Sequence, residues 1–221
     1  MNHFVFSAFL TFLSTLAVGS YFVSRPSGIA RLFGFYWLTI AFWSSTVGFQ
    51  KQLLKIIPDT IWGWLLHLGC VYVPVIFFHF AVRFSKRPIF WAVKLNYLIA
   101  TTFILLNTFT PFFTHYTAYR DYYAYPIPAL FYPLYFIFFA VSVCWGTLLF
   151  TKKWETSPPL ARKKLLVFLT VHILAYLGAI DNFLIMWDVR IFPLYPFGLY
   201  LVSPYAIIGG WALSSLLAPS D

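Results

Sequence analysis

Long stretches without a charged residue constrain this sequence more than any motif in it. A helix needs roughly 20 predominantly apolar residues to cross the hydrocarbon core of a bilayer, because every backbone N–H and C=O must find its partner inside the segment. Seven stretches lack Asp, Glu, Lys and Arg, at residues 4–23, 33–50, 60–82, 95–114, 122–151, 165–180 and 191–220. The sequence therefore predicts an all-α integral membrane bundle of seven transmembrane helices, which forms a single domain over residues 1–221.

Composition and the ends of the stretches agree with this prediction. Only 10% of the residues are charged, whereas soluble domains carry about 25%. The sixth stretch is short for a span, but it can continue through Asp181 and Asn182 to Trp187. No basic region precedes the first stretch, so we expect it to remain as a helix and not to be removed as a signal peptide.

The distribution of Lys and Arg predicts an orientation, because short cytoplasmic loops retain positive charge. With the N-terminus outside, eleven basic residues fall on the cytoplasmic side and four on the outer side, so we expect an N-out, C-in topology. The net charge of +9 then reflects contact with anionic membrane lipids. A nucleic-acid partner is not expected, since it would need a solvent-facing basic surface. The basic residues expected to anchor the chain to lipid are Arg83, Lys86, Arg87, Arg162, Lys163 and Lys164.

Tyrosine and proline concentrate in the predicted outer loops. These aromatic segments are His115–Tyr119, Tyr122–Pro126 and Phe192–Pro196. Tyr and Trp gather at the headgroup level of membranes, so an interfacial belt explains them. The same rings and hydroxyls could instead shape an outward-facing cleft for a ligand. The sequence does not separate the two interpretations.

Asp181 is the only acidic residue within a predicted span. A charge at membrane depth costs about 2.5–3.5 kcal/mol on insertion scales, so the residue is a candidate for a functional role. In one interpretation it lies near the outer end of the sixth helix and reaches water or Arg190. In the other it lines the outer cleft as a ligand-binding or proton-sensing carboxylate. The candidate ligand-binding residues are Asp181, Asn182, Tyr195, Tyr200 and His172.

Three histidines and both cysteines also lie within the spans. His67 and His79 are separated by twelve positions, which is about 18 Å along a helix, so they cannot share one metal ion. Single histidines such as His67, His79 and His172 usually form interhelical hydrogen bonds, although one imidazole also suffices as an axial ligand of a haem or chlorin. The spacing selects neither role, and the cofactor stays unknown. Cys70 and Cys144 are expected to be small buried hydrophobes.

Catalytic and metal-binding patterns are missing from the sequence. It contains no His-Glu-x-x-His, no Gly-x-Ser-x-Gly and no phosphate-binding glycine loop. No acid, base and nucleophile converge, so we predict neither an enzyme nor a metal site. Transporters more often show paired broken helices in two matching halves, which seven unrepeated spans fit poorly.

The last two spans carry a series of short motifs. They read Arg162-Lys163-Lys164, Gly178-Ala179, Asn182-Phe183, Phe192-Pro193, Tyr195-Pro196-Phe197-Gly198 and Tyr205-Ala206-Ile207. In this order they resemble the N-terminal seven-helix region of membrane histidine kinases, a sensory module also found ahead of other signalling outputs. The likeness is closer over residues 160–208 and looser elsewhere, where residues 78–85 are similar to the family's aromatic exit from the third helix. The resemblance implies a multi-pass protein of the bacterial cytoplasmic membrane.

Two functions from different classes follow. The leading hypothesis is a stand-alone sensor or receptor, which binds a small or lipophilic ligand at its outer aromatic face. Family members continue from the Tyr-Ala-Ile element into an output domain, whereas residues 209–221 predict none here, so signalling would need another membrane or signalling protein. The alternative is a non-catalytic accessory or structural subunit of a larger respiratory or photosynthetic membrane complex, which contacts neighbouring subunits, pigments or lipids.

Overall fold

Helices make up most of the computed structural model, which describes residues 3–120 and 123–217. The helices up to residue 179 are α1 (His3–Val23), α2 (Gly28–Gly48), α3 (Gln50–Leu53), α4 (Asp59–Phe84), α5 (Phe90–Phe109), α6 (Tyr132–Glu155) and α7 (Pro159–Ala179). All of them are long except α3, which has four residues. A short helix α8 (Asp181–Leu184) and a 3₁₀ turn (Ile185–Trp187) extend α7.

Five helical segments are long and apolar enough to cross a membrane. They are α1, α4, α5, α6 and the continuous segment Pro159–Trp187. The expected continuation of the sixth span to Trp187 is therefore confirmed, and the chain is a multi-pass membrane protein. Helix α2 also has 21 residues, but Arg31 and several Ser, Thr, Tyr and Trp side chains make it more polar than the other five.

The predicted seventh helix is broken into short pieces. They are α9 (Leu194–Phe197), a 3₁₀ segment (Gly198–Leu201), α10 (Val202–Pro204), a π-helical segment (Tyr205–Gly209) and α11 (Gly210–Ser214), and together we call residues 194–214 the C-terminal run. Proline removes a backbone donor and glycine weakens a helix interior. The run contains Pro204 and three glycines, which accounts for its changes of helical type.

A β-hairpin replaces part of the predicted outer loop between the fourth and fifth spans. Strands β1 (Thr114–Arg120) and β2 (Tyr123–Pro128) pair antiparallel. Their Tyr and Thr content favours extended backbone. The all-α class is confirmed, and the hairpin lies in a connection for which the sequence predicted no regular element. Gln50 ties the hairpin to α3 by donating to the carbonyl of Ala124 at 2.5 Å. Tyr122 lies outside the described residues.

Small residues bring neighbouring helices close together. A Cβ atom on Gly34 would lie 2.6 Å from the backbone nitrogen of Val23, where α2 meets the end of α1. A Cβ on Gly69 would lie 2.9 Å from Cβ of Trp43, where α4 meets α2. Close packing of this kind drives association in lipid, where helix contacts gain no hydrophobic energy. The closely packed helices surround a continuous aromatic interior, which lies between α2, α4, α6, α7 and the C-terminal run.

The basic residues expected to anchor the chain gather at one end of the bundle. Ser85, at the end of α4, donates to the carbonyl of Leu149 in α6 at 3.2 Å. The guanidinium of Arg162, at the start of α7, lies 4.6 Å from the ring centre of Trp154 in the last turn of α6. The basic ends of α4, α6 and α7 therefore lie on the same side.

The contact between α7 and the C-terminal run can be tested with one methyl group. A Cβ on Gly198 would lie 2.0 Å from the carbonyl oxygen of Gly178. Gly198→Ala should therefore push the two segments apart and lower the free energy of unfolding by about 1–3 kcal/mol. The measurement is unfolding in mixed micelles followed by circular dichroism.

Gly28→Ala is the matched control, because a Cβ there meets nothing within 4 Å. Its effect should stay within about 0.5 kcal/mol. Equal stability of the two variants would contradict the close approach of Gly178 and Gly198.

Candidate functional site

His172 lies at the centre of the aromatic interior and is only 1% exposed. Its Nε2 atom lies 2.9 Å from Oγ1 of Thr147 on α6. Its Nδ1 atom lies 2.9 Å from the hydroxyl of Tyr205, the first residue of the π-helical segment. One imidazole thus links α6, α7 and the C-terminal run.

The position of the imidazole proton follows from Thr147. The Thr147 hydroxyl donates its only proton to the carbonyl of Val143 at 2.8 Å. It can therefore only accept from His172, so Nε2 carries the proton and Nδ1 is an acceptor. The Tyr205 hydroxyl must then donate to Nδ1.

Two further tyrosines, Tyr36 and Tyr176, continue this series of hydrogen bonds with all donors pointing the same way. The hydroxyl of Tyr36, on α2, donates to that of Tyr205 at 3.2 Å. The hydroxyls of Tyr36 and Tyr176 lie 3.1 Å apart, and Tyr176 is the donor because the Tyr36 proton is already used. Hydrogen bonds aligned in one direction polarise one another. We call the five residues Tyr176, Tyr36, Tyr205, His172 and Thr147 the His172 network.

Aromatic rings hold the imidazole and Tyr205 in place. Phe77 stacks on His172 with ring centres 4.5 Å apart and an angle of 23° between the planes. Phe168 stacks at 5.6 Å and 22°. A Cβ on Gly209 would lie 3.1 Å from the Tyr205 ring. The end of the π-helical segment therefore packs closely against that ring. Helical segments of this type are frequent at functional sites.

A groove of about 460 Å³ lies between α6 and α7. Its lining includes Thr147, His172 and Tyr176 of the network, together with Phe139 and Cys144. The side chains at its edges are exposed and apolar: Leu148, Ile173 and Leu177. The groove therefore offers an apolar entrance on the outside of the bundle and a hydrogen-bonded pair at its floor.

A smaller cavity of about 60 Å³ lies on the other side of Tyr176. Tyr36 and Tyr205 also line it, with Cys70 and Asn182. A water molecule needs roughly 10–15 Å³ of such space, so the cavity has room for water or a very small group. Both spaces thus border the His172 network.

The turn that follows α7 brings together two of the predicted site residues. Asn182 donates to Oδ1 of Asp181 at 2.9 Å. Asp181 is 2% exposed, so the expectation that it reaches water is wrong. Its Oδ2 atom has no hydrogen-bond partner among the described residues and lies 3.2 Å from the position of a Cβ on Gly198. The close packing of α7 against the C-terminal run at the two glycines is what covers the carboxylate.

The predicted tyrosines of this turn lie elsewhere. Tyr200 faces the start of α1, where its hydroxyl lies 3.2 Å from Nδ1 of His3. The Arg190 guanidinium lies 5.5 Å from the ring centre of Tyr195 and 3.5 Å from the carboxylate of Asp188. Neither tyrosine belongs to the His172 network, and the predicted five-residue site divides into separate places.

The other two histidines of the predicted spans make different contacts. His79 lies 3.2 Å from the hydroxyl of Tyr97, which joins α4 to α5. His67 bonds within its own helix, with Nδ1 2.8 Å from the carbonyl of Gly63. Among residues 3–120 and 123–217, no three or more His, Cys, Asp or Glu side chains form a group that could hold a metal ion.

Sequence reasoning placed His172 in the site and named Tyr205 only within the Tyr-Ala-Ile motif. It missed Tyr36, Thr147 and Tyr176. His172 and Tyr176 are four residues apart, which places them on one face of α7, and this spacing was a usable signal. Tyr36 and Thr147 lie on helices distant in the sequence, and nothing local marks them. Comparison with known proteins adds nothing here, because no family model, curated protein or solved structure matches the chain.

The proton assignment makes Tyr205 the member whose loss should matter most. Tyr205→Phe leaves the Tyr36 hydroxyl without its acceptor and His172 Nδ1 without its donor, and both groups are buried. Leaving buried groups unpaired should lower the free energy of unfolding by about 1–3 kcal/mol. Denaturation of the purified variant in detergent measures the loss.

Tyr200→Phe removes the same atom from a hydrogen bond at the surface of the bundle. It should change stability by less than about 0.5 kcal/mol. If the two variants lost equal stability, the His172 network would not be a special feature of the interior.

Proposed function

We propose that the chain is a membrane sensor that takes a lipophilic ligand from the bilayer into the groove between α6 and α7. One observation carries the proposal: the floor of this groove is the Thr147–His172 hydrogen bond, which continues to the π-helical segment through Tyr205. Ligand pockets commonly enclose about 300–1,000 Å³ and have apolar walls with a few polar groups. The groove has this size and character.

The ligand is expected to combine an apolar body with one oxygen-containing group. The body would lie against Phe139 and the apolar edges of the groove. A carbonyl or hydroxyl oxygen that reached the floor would compete with Thr147 for the Nε2 proton of His172. A ligand shifts a conformational equilibrium only if it binds the two states differently, and this competition is a direct source of such a difference.

The C-terminal run is the element that would transmit the change. Tyr205 receives its hydrogen bond from Tyr36 and gives one to His172, so a displaced imidazole alters both contacts. The pattern of backbone hydrogen bonds changes along the run, because 3₁₀, α and π segments succeed one another. A partner protein that contacts the basic end of the bundle would detect the new arrangement. The resemblance of residues 160–208 to a kinase sensory region supports this assignment.

The same proposal includes seven spans with the N-terminus outside. The five apolar segments are five of these spans, and α2 and the C-terminal run are the other two. The distribution of basic residues supports this topology. A reporter enzyme fused after Ser157 should then be cytoplasmic, and one inserted after Asp188 should be outside. Activity assays with a reporter that works on only one side of the membrane measure both. An external Ser157 fusion would contradict the orientation.

The ligand site can be tested with lipid fractions extracted from native membranes. At a ligand concentration about 100 times the Kd, binding stabilises a protein by about 2.7 kcal/mol. At least one fraction should therefore raise the melting temperature of the purified protein. Cys144→Trp should abolish the increase, because Cys144 lines the groove and is exposed, contrary to the expectation that it is buried.

Val141→Trp is the matched control on α6, since Val141 is 55% exposed and does not line the groove. It should keep the full response. A protein that no extracted lipid, quinone or envelope metabolite stabilises would contradict the sensor proposal. Stable co-purification with a respiratory or photosynthetic complex would instead favour the accessory-subunit alternative.

A further inference from the structure

A further space lies between α4 and the 3₁₀ turn after α8, next to the cavity of about 60 Å³, with which it shares Trp43, Cys70 and Asn182. Its volume is about 20 Å³. It is lined by His67, Cys70 and Met186, and also by Trp43 and Asn182. Such a space holds one water molecule or one ion. It does not include any member of the His172 network.

Two of the polar side chains around this space, those of His67 and Asn182, offer lone pairs. The Gly63 carbonyl can only accept, so Nδ1 of His67 carries the imidazole proton and Nε2 bears a lone pair. His67 is 1% exposed, and Nε2 has no hydrogen bond within residues 3–120 and 123–217. Asn182 uses its N–H groups on the carbonyl of Ala179 and on Asp181, which leaves its oxygen as an acceptor. The space therefore suits an occupant with a positive charge or with protons to donate.

The chemistry of the lining distinguishes a metal ion from water. An imidazole nitrogen, a thiol and a thioether are soft or borderline ligands, and sulfur ligands of this kind favour Cu⁺, Zn²⁺ and iron–sulfur clusters. With Cys70 as the one thiolate, a monovalent ion such as Cu⁺ leaves no unpaired charge in the interior. His67 and Cys70 are three residues apart, which places them on one face of α4. Met186 comes from a separate segment that closes the space from the other side.

Two of the three side chains already have the contacts that metal ligands need. A metal-bound histidine almost always donates its other N–H to a carboxylate, a backbone carbonyl or water, which fixes the ring. His67 does this with Gly63 at 2.8 Å. The Tyr135 hydroxyl donates to Sγ of Cys70 at 3.0 Å, which would stabilise a thiolate.

We propose that His67, Cys70 and Met186 bind one soft monovalent metal ion of the Cu⁺ type. On binding, the Cys70 thiol gives up its proton to the solvent and the thiolate bonds to the ion, with no change of oxidation state. The site stays neutral because one positive charge replaces another. This matters in a membrane interior, where an unpaired charge is strongly disfavoured. The proposal does not depend on the ligand groove.

Competition with a coloured Cu⁺ chelator under reducing, oxygen-free conditions tests the site in the purified full-length protein. The wild type should withhold about one equivalent of Cu⁺ from the chelator, as expected for one set of ligands. Cys70→Ser should lose this binding, whereas Cys144→Ser should retain it. Met186→Leu and His67→Gln should each weaken binding, and His79→Gln should not. Tyr135→Phe should weaken it by roughly 10–100-fold, the usual effect of a contact behind a ligand.

The variants are first compared without metal, so that a fold defect is recognised by circular dichroism and melting temperature. A well-folded Cys70→Ser protein that still withholds one equivalent would overturn the proposal. Loss of binding in Cys144→Ser, or a wild type that withholds none, would overturn it as well and would leave the space to water. Each of these results is independent of whether lipid fractions bind in the groove.

Discussion

A hydrocarbon layer offers no hydrogen bonds, so each polar group at mid-membrane must find its partner within the protein. The His172 network is the principal response of this fold to that constraint. Its direction originates at Thr147, whose proton is committed to the α6 backbone. Every later donor and acceptor follows from that single assignment. The network therefore connects four elements through one ordered set of bonds, and a change at one end cannot be absorbed locally.

Two spaces border the network and expose its hydrogen bonds to a bound group. The groove reaches Thr147 and His172 from the outside of the bundle, and the smaller cavity reaches Tyr36 and Tyr205 from the interior. Tyr176 borders both. A bound group on either side would meet the same hydrogen bonds. The C-terminal run, in which α, 3₁₀ and π segments succeed one another, is less regular than the long helices beside it.

Much of the fold could be predicted from charge-free stretches, because the thickness of a bilayer fixes the length of a span. The segmented C-terminal run and the hairpin were not predicted. Hydropathy does not register proline and glycine, and it does not distinguish a strand from a loop. The site was predicted only in part. His172 stood out as a polar residue at mid-membrane, but Tyr36 and Thr147 become its neighbours only through helix packing. Asp181 was expected to reach water because its sequence position is near a helix end, and the Gly178–Gly198 contact covers it instead.

The most direct test of this account is the protonation of His172, observed by ¹⁵N NMR of imidazole-labelled protein in lipid. Substitution of His3, His67, His79 and His115 leaves a single labelled ring. We predict a proton on Nε2 and a bare Nδ1 that accepts from Tyr205, with both signals changing when a stabilising lipid fraction is added. A proton on Nδ1, or ring signals that do not change with any lipid fraction that binds, would contradict the claim that the network links the groove to the C-terminal run.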